Sequence, residues 1–146
     1  YSLGLKRFPK FTALYANLAD LYRAMGDDVK AFSVLQKGLE LEPKNATLHY
    51  SLALWYFRKK DIKTGMATLQ RSIQLNPADA GAVYAYAIAQ HSNGESLKAV
   101  QTLEAYNKKY VNNPQVLEGL ISLNQDMQRP ELATKWLALR KNVYGY

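Results

Sequence analysis

From Ala46 to Pro77 the chain reads ATLHYSLALWYFRKKDIKTGMATLQRSIQLNP. Two segments with apolar residues at three- and four-residue steps fold about Lys59-Lys60-Asp61 and close on a proline. That spacing predicts a pair of amphipathic helices packed antiparallel. The same grammar recurs on both sides. Ala31, Gly65, Ala99 and Ala133 stand 34 apart, as do Leu35, Leu69, Leu103 and Leu137, and Pro9, Pro43 and Pro77. A period held through small, large and proline positions together predicts an array of helical hairpins.

The residue types explain why such hairpins pack. Ala19, Ala53 and Ala87, with the small residues of the 34-residue series, suit places where two helices cross closely. Leu18, Leu52, Tyr86 and Leu120 suit the gaps beside them, as ridges-into-grooves packing requires. The predicted ends agree. Gly26 and Gly94 are left-handed stops for first helices, and Lys60 and Gln128 occupy the same position elsewhere. Asp27 and Asp61 are placed to cap second helices. Pro130 suits a first helical turn, Asn113-Pro114 is a cap followed by proline, and Pro43 and Pro77 end second helices.

On these residues the chain resembles the tetratricopeptide repeat (TPR) family. The first repeat supplies Tyr15, Leu18, Ala19, Tyr22, Ala31, Leu35, Gly38 and Pro43 at the signature positions. The second supplies His49, Leu52, Ala53, Tyr56, Gly65, Leu69, Ser72 and Pro77. The resemblance implies an all-α fold, a right-handed superhelical solenoid of antiparallel helix pairs. It implies one domain over 1–146, with repeats at 12–45, 46–79, 80–113 and 114–146, the last divergent. Residues 1–11 read as the end of a preceding repeat, with Tyr1, Gly4 and Leu5 at second-helix positions, so a fragment of a longer TPR protein is expected. Val111 departs from the proline series, which predicts a different junction over Tyr110-Val111-Asn112-Asn113. Tyr106 and Arg140 replace small residues and are expected to loosen or re-angle the last packing steps. Val143-Tyr144-Gly145-Tyr146 lacks a polar outer helix, leaving self-association through uncapped ends open.

Composition narrows the functions. The chain has no cysteine, which excludes disulfides, thiolate metal sites and cysteine nucleophiles within it. The compartment stays open; a soluble protein of cytoplasm or periplasm is equally compatible. No apolar run reaches the length of a membrane span. The net charge of +7 suggests solvated lysine-rich helix faces, and without an aromatic-basic stripe no nucleic-acid partner is expected. His49 falls at a packing position and His91 on a first-helix face; two isolated histidines supply neither a metal site nor a catalytic cluster. No phosphate-binding or hydrolase motif is present. Neither cofactor, metal nor catalytic residue is therefore expected.

The remaining signal is the concave face that the resemblance implies for the first helices. Chaperone-binding TPR domains grip a C-terminal carboxylate with Lys, Asn and Arg side chains there. This chain has Ala16, Asp20, Ser51, Gly81 and Ala85 in their places, so no carboxylate clamp is expected. Tyr50, Leu54, Phe57 and Arg58, with Tyr84, Ile88 and His91, form instead an apolar and aromatic strip expected to bind a peptide or protein; Tyr86 belongs to the packing face. Aromatic residues on an exposed apolar patch are favoured contact points. The function expected is a non-catalytic protein-interaction scaffold. Two alternatives stand beside it. One is an oligomerisation module. The other is an accessory segment of a larger bacterial enzyme or redox protein, since Ala80–Gly94 is similar to TPR tails of multihaem cytochromes.

Overall fold

The structure, a computed structural model, describes residues 9–146, with side chains from residue 13 onward. The reading of Tyr1, Gly4 and Leu5 lies outside the described residues. Among these, eight α-helices and no strand occur: α1 (Pro9–Ala24), α2 (Asp28–Leu41), α3 (Ala46–Arg58), α4 (Ile62–Leu75), α5 (Ala80–Ser92), α6 (Ser96–Lys109), α7 (Pro114–Asp126) and α8 (Pro130–Tyr144). The fold is an all-α repeat solenoid built of helical hairpins. Helix α1 starts three residues before Thr12, where the period places it, and proline is at home in a first helical turn.

The helix ends follow from the residues at them. Asp27 accepts from the Lys30 N–H, Asn45 from Leu48, Asp61 from Thr64 and Asp79 from Ala82. Asn113 accepts from both Gln115 and Val116, ahead of Pro114. Gly26, Lys60, Gly94 and Gln128 all adopt positive φ, at 78°, 63°, 82° and 57°. Asn112, at φ 66°, marks the divergent junction expected after Tyr110.

The helices group into two compact units, Tyr1–Asn76 and Pro77–Tyr146. In the first, α1 packs on α2, α3 on α4, and α3 also on both α1 and α2. The second repeats this scheme with α5 to α8. Ala16, Ala19, Leu35, Leu48 and Leu52 form the core of the first unit, edged by Phe32, Trp55 and Tyr56. The Trp55 ring centroid lies 4.6 Å from that of Phe32, and its indole N–H donates to the Asp28 carbonyl at 2.9 Å. The second unit buries Leu103, Leu117, Leu120 and Leu123 almost completely. Each such leucine stabilises the fold by about 1.5–3 kcal/mol.

Helix α1 departs from the expected packing. Leu18, meant to fill a gap, is 39% exposed, and Leu14, Leu21 and Met25 on the same face are exposed as well. Their equivalents in α3, Leu48 and Leu52, are buried where α3 meets α2.

Tyr106 does not loosen its surroundings. It is buried, its hydroxyl donates to the Ala78 carbonyl at 2.6 Å, and its ring lies 4.8 Å from that of Tyr110. Burial pushes its phenol above the ordinary tyrosine value. Ser72, one period earlier, also donates to a backbone carbonyl, that of Ala46, at 2.8 Å. Arg140 pairs with Glu118 and donates to the Tyr146 carbonyl. The exposed side of α8 carries Glu131, Thr134, Lys135, Lys141 and Asn142, although Val143, Tyr144 and Tyr146 are exposed too.

Candidate functional site

In the first unit, α1 and α3 lie side by side and enclose a groove of about 720 Å³. Their facing positions come from the helical repeat. Asn17, Asp20 and Arg23 on α1 oppose Thr47, Ser51 and the larger Tyr50, Leu54 and Phe57 on α3, while Ala19, Ala31 and Leu35 close the floor. One wall is thus mainly polar and the other mainly apolar and aromatic. Tyr50, Leu54 and Phe57 are all half-buried, and Arg58 stands exposed at the end of α3. The four residues expected from the first unit therefore share one groove.

Phe57 reaches the groove in a particular way. Its ring lies against Gly65 of α4, with Cε1 only 2.6 Å from where a Cβ at Gly65 would stand. The charged groups are unevenly committed. Lys59 approaches the Asp28 carboxylate to 3.1 Å and Arg58 to 3.7 Å. The bond from Lys59, aided by the charges of both cations, holds the Asp28 carboxyl below the usual carboxylate range. Arg23 meets Asp20 only at 4.0 Å, both side chains being about half exposed.

Tyr84, Ile88 and His91 belong to the second unit and lie along α5. The Tyr84 ring rests on Gly119 of α7, with Cε1 3.0 Å from where a Cβ would be. His91 places Nδ1 2.7 Å from the Ser96 hydroxyl and Nε2 3.4 Å from the Asp126 carboxylate. Ile88 keeps about a third of its surface in solvent. His49, expected in a packing role, is half-buried with Nε2 2.8 Å from the Pro43 carbonyl. Among the described residues no group of three or more acidic, histidine or cysteine side chains is placed to hold a metal ion, and no helix is long and apolar enough to cross a membrane.

Two features of the groove escaped the sequence reading. The contact of Phe57 with Gly65 needs the geometry, because the spacing marks Gly65 only as a close-crossing residue. The second is the polar wall: nothing in the identity of Asn17, Asp20 or Arg23 sets them beside the α3 aromatics.

Comparison with known proteins agrees with this architecture. The tetratricopeptide repeat model matches residues 12–45 and 46–79. No curated protein sequence matches the chain. Among solved structures, PilF of Pseudomonas aeruginosa is similar with a TM-score of 0.78 and 19% identity, over 91% of this chain and 61% of that one. The chain thus spans under two thirds of that protein's length. MamA is similar with a TM-score of 0.74 and 23% identity, over 97% of this chain and 85% of that one. The first TPR domain of Spaghetti, solved with an HSP90 peptide, gives a TM-score of 0.68 and 20% identity over 80% of this chain and 95% of that one. At these identities the likeness establishes the fold. With two consecutive repeats matched and the hairpin architecture in place, the chain belongs to the tetratricopeptide repeat family.

Proposed function

We propose that this chain is a non-catalytic protein-interaction scaffold whose first unit holds a segment of a partner protein in the groove between α1 and α3. The observation that carries this reading is the groove itself, large enough for side chains of a peptide and walled by Tyr50, Leu54 and Phe57. Pockets with apolar walls and a few polar groups are where guests lose most of their hydration. Aromatic residues half-buried at such a place contribute large contact area at small entropic cost.

The charges select among guests. Asp28 is drawn more closely to Lys59 than to Arg58, so Arg58 is the less committed cation at the groove end. Arg23, loosely held by Asp20, is the second. A bulky apolar side chain with a carboxylate close by in the guest suits this lining, through burial and a charge-assisted hydrogen bond. The five positions of a C-terminal carboxylate clamp carry no lysine, asparagine or arginine, so the mode differs from that clamp. Spaghetti's first TPR domain, of similar fold, was solved with a peptide, which supports the general mode. In the second unit Tyr84 and His91 already have partners, which leaves Ile88 the greater part of any contact there.

The test is selection from a displayed random-peptide library on the wild-type chain, with counter-selection on Leu54→Arg. Enriched peptides should carry an aromatic or large aliphatic residue with an acidic neighbour, and should lose binding to Leu54→Arg and Tyr50→Ala. Peptides that bind the variants as well as the wild type would refute the groove as the site.

A further inference from the structure

We propose that Gly65 is a specificity-determining residue of this groove: it gives the Phe57 ring a place against α4 and so keeps the cavity open for a bulky aromatic side chain of the guest. The proposal rests on the groove reading above and adds what sets the groove's capacity.

Three atoms of the Phe57 ring, Cε1, Cδ1 and Cζ, lie 2.6, 2.7 and 3.2 Å from where a Cβ at residue 65 would stand. The first two separations are closer than a carbon can approach, so any side chain at 65 must displace the ring. Phe57 also lines the groove, together with Tyr50 and Leu54. With α4 refused to it, the ring's remaining space is the groove, which packing density in protein interiors leaves as the accessible void.

The chain contains its own comparison. One period before, one period after and two periods after, the same two positions hold Arg23 with Ala31, His91 with Ala99, and Gln125 with Ala133. Where the second helix carries alanine, the first helix ends in a polar residue. Only the repeat with glycine places an apolar six-membered ring there. Alanine at this position is thus compatible with the hairpin, being buried and accommodated in α2, α6 and α8. The pairing of glycine with phenylalanine concerns what faces the groove.

The guest is defined by the same lining. An aromatic group finds Phe57, Leu54 and Tyr50, and an attached anion finds Arg58, whose usual partner Asp28 is closer to Lys59. The probe for the experiment is therefore 8-anilinonaphthalene-1-sulfonate, an aromatic anion, titrated by fluorescence against the full chain. Gly65→Ala should fold as the wild type does, place the Phe57 ring in the groove in its crystal structure, and weaken dye binding by about tenfold or more, the effect of an added methylene-sized obstruction in an apolar pocket. Gly65→Ala with Phe57→Leu should regain the affinity, because the shorter side chain leaves room again. A crystal structure of Gly65→Ala with the ring unmoved, unchanged dye affinity, or a double variant no better than the single one would overturn the proposal. Leu54→Arg reads the groove separately. If that variant binds the dye as the wild type does, the groove reading fails, while the position of the ring in the crystal still decides what Gly65 does.

Discussion

Replacing Lys60 and Gln128 by glycine should stabilise the protein, and the four repeats supply the controls. Gly26, Lys60, Gly94 and Gln128 end four first helices in the left-handed region. Each is followed by a residue whose N–H closes the same turn: Asp27 to Tyr22 at 2.8 Å, Asp61 to Tyr56 at 3.0 Å, Glu95 to Gln90 at 2.8 Å and Arg129 to Asn124 at 2.8 Å. The backbone is thus the same with and without a Cβ. An L-residue in this conformation carries a penalty of about 1–2 kcal/mol. Glycine is free of it but loses about 0.5–1 kcal/mol through the greater freedom of its unfolded chain. The difference is a gain of about 0.5–1 kcal/mol for Lys60→Gly and the same for Gln128→Gly. Both side chains are exposed, so no packing is lost with them. The reverse changes, Gly26→Lys and Gly94→Gln, meet open space, with nothing within 4 Å of a built Cβ. They should each lose about 0.5–1 kcal/mol, the same difference with its sign reversed. Urea unfolding followed by far-ultraviolet circular dichroism measures all four. A loss of stability in Lys60→Gly, or no loss in Gly26→Lys, would show that these turns are not held in the left-handed conformation.

Other substitutions separate burial from bonding. Leu48→Ala should lose about 2–5 kcal/mol, because Leu48 is fully buried. Leu14→Ala, one repeat earlier at the same position but 57% exposed, should stay within about 0.5 kcal/mol of the wild type in the same urea assay. Tyr106→Phe keeps the buried ring and removes the bond to the Ala78 carbonyl, for a loss of about 1 kcal/mol. The raised phenol of Tyr106 also stabilises the fold below its unfolded value of 10.0, and this is lost as pH rises through the folded value; unfolding in alkali should show a weaker pH dependence in Tyr106→Phe. Asp28 works in the opposite sense. Its depressed carboxyl contributes above the unfolded value of 3.8, and the contribution goes as pH falls through the folded value, so acid titration of stability should flatten in Asp28→Asn.

Much of the fold was legible because the period of 34 repeats at positions with one physical job. A small residue where helices cross, a leucine at Leu35 and Leu69, and a stop at Gly26 or Lys60 each have a single solution, and the repeats agree on it. The exposure of Leu14 and Leu18 was not legible, since the pattern describes a side chain's partners in an average repeat and not whether a neighbour covers that face. Tyr106 shows a second limit. Reading it as an oversized substitute for glycine or serine considers volume alone, while its hydroxyl, like that of the serine one period earlier, reaches a backbone carbonyl. At the candidate site, the period placed Tyr50, Leu54, Phe57 and Arg58 on one face, but Tyr84 and His91 proved to be engaged by Gly119, Ser96 and Asp126, which no spacing within α5 announces.

The positions where the repeats disagree are therefore where individual chemistry resides. Residues 38, 72, 106 and 140 occupy one place in the period and hold glycine, serine, tyrosine and arginine. Each is answered differently: Gly38 by the Leu48 side chain, 2.9 Å from a built Cβ, Ser72 and Tyr106 by carbonyls, and Arg140 by Glu118 and the Tyr146 carbonyl. Residues 23, 57, 91 and 125 form a second such series, and its one apolar member, Phe57, lines the groove and coincides with the one glycine among Ala31, Gly65, Ala99 and Ala133. A repeat fold restricts most positions to architecture, so a position released from that restriction can vary at little cost in stability. Variation paired across two helices, as in Phe57 with Gly65, is harder to account for by such release. It requires two changes that compensate each other in space, and the space in question opens on the groove.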